Sequence, residues 1–262
     1  MMLSLWTSAS GMNAQQFNVD VISNNMANVN TTGFKRDRAD FADLMYQKLV
    51  VPGTPAGQGS VIPTGTQVGL GARVTATQKT YTQGSLRNTE NPMDMAIEGD
   101  GFFQIMLPDG SIAYTRDGSF KLDGSKSIVT SDGYKLYPEL TVPEDATSMS
   151  ISEDGVLSVM IAGQVTPQEI GTLELVKFVN PAGLTNEGNN LVKETAASGA
   201  PVAGKPNENG IGRIRHGYIE MSNVIVVNEM VNLISAQRAY ELNSKSIQTA
   251  DTMLGIATNL KR

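Results

Sequence analysis

Val226 to Leu254, VVNEMVNLISAQRAYELNSKSIQTADTML, places Val226, Leu233, Tyr240, Ile247 and Leu254 at seven-residue steps, with Ala236, Ala250 and Ala257 beside them. A side chain returns to nearly the same side of an α-helix every two turns. The spacing therefore predicts a long amphipathic helix with a heptad seam of about four repeats. At the other end of the chain Leu5, Ala9, Met12, Val19, Ile22, Met26 and Val29 recur at steps of 3, 4 or 7. That pattern predicts a second helix over the first thirty residues.

Between the two helical ends the pattern changes to strand and turn. Asp-Gly occurs six times, beginning at Asp100, Asp109, Asp117, Asp123, Asp132 and Asp154, between short runs such as FFQIML, IAYT and SIVT. Asp-Gly favours the positive φ of two-residue hairpin turns, so residues 95–200 are expected to form an antiparallel all-β domain. Val68 to Leu86 and Gly212 to Glu220 are also β-like and are expected to pair with each other. Residues 44–66, LMYQKLVVPGTPAGQGSVIPTGT, hold three prolines and four glycines. Pro52, Pro55 and Pro63 restrict the backbone while Gly53 and Gly65 permit close approach, so this insert is expected to be extended or mobile unless another chain holds it.

The fold class that follows is α+β, with discontinuous terminal helices forming a coiled-coil-like pair, an antiparallel all-β central domain and a connecting β region. The expected boundaries are 1–30 and 225–262 for the helices, 31–94 and 201–224 for the connecting region, and 95–200 for the outer domain. Two narrow stripes that must meet across two hundred residues of chain are expected to be poorly ordered in an isolated monomer. From Met1 to Phe34 the only ionisable side chain is Asp20. A helix with so uncharged a polar face is expected to be surrounded by other subunits rather than by water.

Composition excludes several classes of function. Twenty Lys and Arg against 26 Asp and Glu give a net charge of -6, which supplies no drive toward nucleic acid phosphates. No Cys and a single His, His216, exclude thiolate catalysis and Cys- or His-rich metal sites. No apolar run approaches the length of a bilayer span, and the N-terminus lacks the charge and apolar core of a cleavable secretory signal. GAPVAGK at Gly199 matches a phosphate-loop spacing, but Pro206 stands where Ser or Thr would be needed. Turn chemistry explains the Asp-Gly series better than calcium ligation does. His216, in an alternating strand, is read as structural, and Lys35, Arg36 and Arg38 as a solvated loop or subunit contact. No catalytic, cofactor or metal residue is assigned. A secreted glycan-binding β domain with helical arms and a hydrolase with clustered carboxylates stay open on the residues alone.

Ile22 to Lys35, ISNNMANVNTTGFK, closely resembles the N-terminal signature of the rod and hook group of bacterial flagellar axial proteins, and Ser222 to Leu254 resembles the group's C-terminal helix. On this resemblance Asn24, Asn25, Ala27, Asn28, Asn30, Thr31, Gly33, Phe34 and Lys35 are the signature residues. IPTGTQVGLGAR, GSLRNTENPMDMAIEGDGFFQIMLPDG and YTRDGSF are most similar to the distal rod branch of the group, with hook or proximal rod subunits as the nearest alternatives. The resemblance implies a non-enzymatic subunit of a helical homopolymer in the periplasm, without cofactor, partnered by proximal rod subunits below and hook subunits above. It also implies passage through the flagellar type III export apparatus and, where an outer membrane exists, surrounding bushing rings. The 44–66 insert falls where the distal rod branch carries its own extended segment, so Pro52, Gly53, Pro55, Pro63 and Gly65 are expected to belong to a stiffening element.

Overall fold

A computed structural model describes the chain except residues 1, 54, 58, 59, 62, 144, 164, 165 and 260–262. Two α-helices, α1 (Met2–Ala27) and α2 (Val226–Asn259), bracket a long series of short strands. No proline precedes Pro52 or follows Pro206, so both terminal stretches keep every backbone donor that a helix needs. α1 ends before Val29, which lies in the turns that follow, and the expected helix is therefore shorter than thirty residues. Asn28 to Asn30 bring polar residues that favour turns, and Thr31-Thr32-Gly33 continues the break.

The chain divides into two compact units. The first holds Met1–Ala27, Asp37–Gln78 and Ile225–Arg262; the second holds Asn28–Arg36 and Lys79–Val224. In the first unit α1 and α2 pack together, beside a ladder of Asp37–Asp43 with Ala72–Lys79 and a ribbon of Tyr46–Val50 with Thr66–Gly69. Between these two strands in sequence, Pro55–Gly57 pairs with Ser60–Val61 in a separate small two-stranded sheet. The described strands of the 44–66 insert thus pair antiparallel within this chain, where a segment extended or mobile unless held by another chain was expected. Gly65 lies against the Pro52 ring, an approach that leaves no room for a Cβ.

The second unit is built on a seven-stranded antiparallel sheet. Its strand order is Lys121–Leu122, Ile128–Val129, Lys135–Tyr137, Phe103–Met106, Ile112–Thr115, Leu191–Lys193 and Thr185–Gly188. A three-stranded sheet, Ala146–Ile151, Val156–Ile161 and Gln168–Thr172, shares its core. Met95, Ile97, Phe103, Ile105, Phe120, Leu136, Leu157 and Leu175 are fully buried there, and Phe103 meets Phe120 edge-on with centroids 5.2 Å apart. Burial of each such side chain contributes about 1.5–3 kcal/mol before the ordering entropy is subtracted.

Four Asp-Gly pairs sit at hairpin turns, but their loops hold three residues where two were expected. Leu107, Asp123, Thr130 and Ser152 each donate a backbone N–H to the carbonyl four residues on, at 2.8 to 3.0 Å. The last loop residue takes positive φ: Gly110, Gly133 and Gly155 at +80 to +86°, and Lys126 at +60°. A type I turn closed by one left-handed residue suits strand twist as well as the two-residue turn does, and it uses Asp at its centre and Gly at its end. At Asp123 the glycine comes too early, so Lys126 takes the left-handed place.

The expected pairing of 68–86 with 212–220 is met only at its ends, where Glu220 pairs with Leu86, and is corrected elsewhere. The chain breaks at Gly217, and the two halves find separate partners: Arg213–His216 pairs with Met95–Glu98, and Tyr218–Glu220 with Leu86–Asn88. Residues 66–79 pair instead with the strands that follow α1.

Candidate assembly surfaces

The side of α2 turned to α1 alternates alanine and polar residues with aliphatics that are only partly covered. Glu229, Ala236 and Ala250 are buried and Leu233, Asn243, Ile247 and Leu254 half-buried, a 4-3 alternation of the coiled-coil kind. α1 answers with buried Ser8, Ala14, Ile22 and Asn25. Ser8 Oγ donates to Ser246 Oγ at 3.1 Å, and Asn25 Nδ2 lies 3.5 Å from a Glu229 carboxylate oxygen. The heptad residues fall on one edge of this seam: Leu233, Ile247 and Leu254 are partly covered, whereas Val226 and Tyr240 are exposed. On α1, Leu5, Met12, Val19 and Met26 are partly covered, Ile22 is buried and Ala9 faces solvent. Val29, beyond the helix, is half-buried.

Seven other large apolar side chains of α2 point elsewhere. Val227, Met230, Val231, Ile234, Leu242, Met253 and Ile256 are all exposed, Val231 to 60%. So many large aliphatics outside the seam depart from the usual arrangement of a surface helix, whose apolar residues form one covered stripe. The ribbon adds to this open surface, with Met45, Tyr46, Leu49 and Val51 exposed. In the same segment Pro52, Gly53 and Pro63 are exposed, Gly65 is half-buried and Pro55 begins the small two-stranded sheet.

Two of the signature residues, Asn25 and Lys35, each anchor a polar clamp, one in each unit. In the first, the buried Asn25 amide meets the main chain of Asp37 twice: Nδ2 donates to the Asp37 carbonyl at 2.8 Å and Oδ1 accepts from the Asp37 N–H at 2.9 Å. A side-chain amide here completes a strand-like pair and joins the end of α1 to the strand that follows it. Asn24, Ala27 and Asn30 are exposed; Asn28, Thr31 and Phe34 are half-buried. Phe34 carries the Lys79 ammonium 4.8 Å from its ring centroid.

In the second unit Gly33, at φ +68°, is buried against the Asp117 backbone, where a Cβ would stand 2.6 Å from nitrogen. Only glycine fits there. Lys35 is buried too, which corrects its reading as a solvated or subunit-contact residue. Its ammonium lies 2.5 Å from one Glu220 oxygen and donates to the Thr82 carbonyl at 2.8 Å. The other Glu220 oxygen faces Arg116 Nη1 at 3.3 Å, and Arg116 Nη2 donates to the Gly99 carbonyl at 2.8 Å. Two buried cations thus share one carboxylate. Burial holds the Lys35 ammonium below the ordinary lysine range despite Glu220, and the Arg116 charge adds to the shift. Arg116 is likewise lowered, chiefly by burial. Asn223, just before α2, accepts from the Arg36 N–H at 2.8 Å and donates to the Thr80 carbonyl at 2.8 Å.

Sequence reasoning passed over Arg116, Glu220, Asn223 and Glu229. Glu220 ends an alternating run, RIRHGYIE, in which a terminal carboxylate reads as solvated. Only its partners, 104 and 185 residues away, show it to be a core ion. No helix among the described residues is long and apolar enough to cross a membrane.

Comparison with known proteins matches most of both helices and part of the β-rich unit. The family model "Flagella basal body rod protein" matches residues 5–35, "Flagellar hook protein FlgE/F/G D1 domain" matches 96–159, and "Flagellar basal body rod FlgEFG protein C-terminal" matches 215–260. Flagellar basal-body rod protein FlgG of Borreliella burgdorferi is 56% identical over 264 residues, covering 100% of both chains. The protein of that name from Caulobacter vibrioides is 48% identical over 99% of this chain and 100% of its own, and that from Bacillus subtilis 40% identical over 100% of both. With relatives this similar along its whole length, the chain belongs to the flagellar basal-body rod protein family, a family of structural subunits.

Proposed function

We propose that this chain is the distal rod subunit, assembling with copies of itself into a rigid helical tube that transmits motor torque to the hook and filament. The observation that carries the reading is the exposed side of α2: seven large apolar side chains lie outside the seam with α1, where only other subunits would cover them. Burial of six or seven such side chains offers on the order of 10–20 kcal/mol gross per helix, most of it consumed by ordering entropy. A subunit of this kind stays monomeric until an existing rod end presents its own helices.

In this reading the packing residues are Leu5, Ala9, Met12, Val19, Ile22, Met26 and Val29 at the N-terminal end, and Val226, Leu233, Tyr240, Ile247 and Leu254 on α2. Residues of heterologous patches pack head to tail and so build open helices rather than closed rings. Proximal rod subunits would template the first copies and hook subunits would cap the last. The subunit would reach the rod through the flagellar type III export apparatus, with bushing rings around it where an outer membrane is present. Residues 44–66 would lie along neighbouring subunits and stiffen the shaft. Incubation of the purified chain with isolated basal bodies tests the proposal: elongation of a straight rod by electron microscopy supports it, and failure of wild-type chain to extend any rod end counts against it.

A further inference from the structure

The only tryptophan of the chain, Trp6, stands 74% exposed on α1. Burial of an indole is among the largest single hydrophobic gains available to an interface, and its N–H is a donor that must find an acceptor when buried. The surroundings of Trp6 favour burial. From Met1 to Val19 no side chain is ionisable, so covering this part of α1 leaves no side-chain charge without water.

Farther along the same unit α1 and α2 form an open, mainly apolar groove of about 350 Å³, lined by Gln16, Val19, Gln237, Tyr240 and Glu241. An apolar cavity of about 150 Å³ already admits a benzene ring, so this groove is ample for an indole. Its chemistry is also complementary. Val19 and the exposed Tyr240 ring offer an apolar floor and an aromatic partner. Gln16, Gln237 and Glu241 bring side-chain oxygens that accept an N–H; Glu241 keeps this capacity beside its exposed contact with Arg238 at 3.5 Å.

Trp6 cannot reach the groove of its own chain. Ten to thirteen residues of continuous helix separate it from Gln16 and Val19, and at 1.5 Å per residue that is about 15–20 Å along a rigid axis. We infer that the groove between α1 and α2 receives Trp6 of a second copy of this chain. A projecting side chain and a receptor at different places on one molecule make a heterologous contact, which repeats without closing and so specifies an open polymer. The inference rests on the self-assembly reading and gives it a specific pair of surfaces.

Trp6 reports its own burial. Rod ends in isolated basal bodies are extended with purified chain, and tryptophan emission and acrylamide quenching are compared before and after polymerisation. In a parallel sample Gln237→Cys, the only thiol in the chain, carries a benzophenone maleimide, and crosslinked peptides are identified after irradiation. The expected result is a blue shift with loss of quenching, and crosslinks from position 237 to the peptide holding Trp6 of another copy. Trp6→Phe should retain extension at reduced rate, because it keeps the ring and loses the N–H, whereas Trp6→Ser should abolish it. If rods grow while emission stays that of the monomer, or crosslinks from 237 land away from Trp6, the pairing is overturned and self-assembly stands. If wild-type chain extends no rod, both readings fall.

Discussion

A Cβ placed on Gly11 would stand 3.0 Å from Nδ2 of Asn243, so α1 and α2 meet at this level with a glycine on one side and an amide on the other. The seam between the helices is close, but apart from Ile22 its aliphatics, Leu233, Ile247 and Leu254, are covered only in part. Its alanines, serines and amides fix where the helices touch, and seven further large apolar side chains of α2 lie outside it.

Gly11→Leu should therefore separate the helices without disturbing the β-rich unit. The added side chain has no space unless Asn243 moves. We expect faster amide exchange in Met2–Ala27 and Val226–Asn259 and unchanged exchange in the strands from Met95 to Tyr137. Unaltered protection in both helices would show that they do not pack at this level.

The buried triad predicts an order of sensitivities. Glu220 is the single anion between Lys35 and Arg116, so Glu220→Gln leaves two buried cations uncompensated and should cost about 3–5 kcal/mol. Lys35→Met leaves the Arg116–Glu220 pair neutral and should cost clearly less. Urea denaturation of both variants decides the matter, and an equal or larger loss for Lys35→Met would refute the account of the node.

Much of this architecture was legible in the sequence, because helix pairing and strand turns are written in local periodicity. The seven-residue repeat of Leu233, Ile247 and Leu254 marks α2, and the Asp-Gly pairs mark hairpins. The length of the hairpin loops was not legible, since Asp-Gly serves the two-residue turn and the end of a three-residue loop alike. The partners of 212–220 were hidden for a related reason: strand pairing is decided by long-range burial, and the break at Gly217 gives one alternating run two different neighbours. Lys35 and Glu220 were hardest of all. A buried ion pair leaves no periodic trace, and a lysine beside Arg36 and Arg38 looks like surface.

Tyr114 supplies a pH signature. Burial, reinforced by the Glu194 carboxylate 3.5 Å from the phenol, pushes its pKa from 10.0 up to about 12. The unfolded phenol loses its proton first as pH rises, so the stabilising contribution is fully present below pH 10 and is lost as pH climbs through about 12. Ultraviolet difference titration of wild type against Tyr114→Phe should show one phenol ionising near the top of that window. A Tyr114 that ionises with the solvent-exposed tyrosines would contradict the burial argument.

Deletion of residues 46–63 should leave export and polymerisation intact but yield a shaft of lower bending stiffness or altered curvature. The deletion removes the strand Tyr46–Val50 and the small two-stranded sheet, and with them the exposed Tyr46, Leu49 and Val51. Electron microscopy of isolated basal bodies reads the result. A straight rod of unchanged stiffness would assign rigidity to the helices alone.

Hydrogen exchange of the intact chain, measured as dilute monomer and again after growth on rod ends, tests the central claim most directly. Helices joined by a single, partly covered seam should open readily in the monomer, so amides of α1 and α2 should exchange rapidly while the β-rich unit is protected. In the polymer the outward aliphatics of α2 gain partners, and both helices should become as protected as the β-rich core. Equal helix protection in monomer and polymer would contradict assembly through these surfaces.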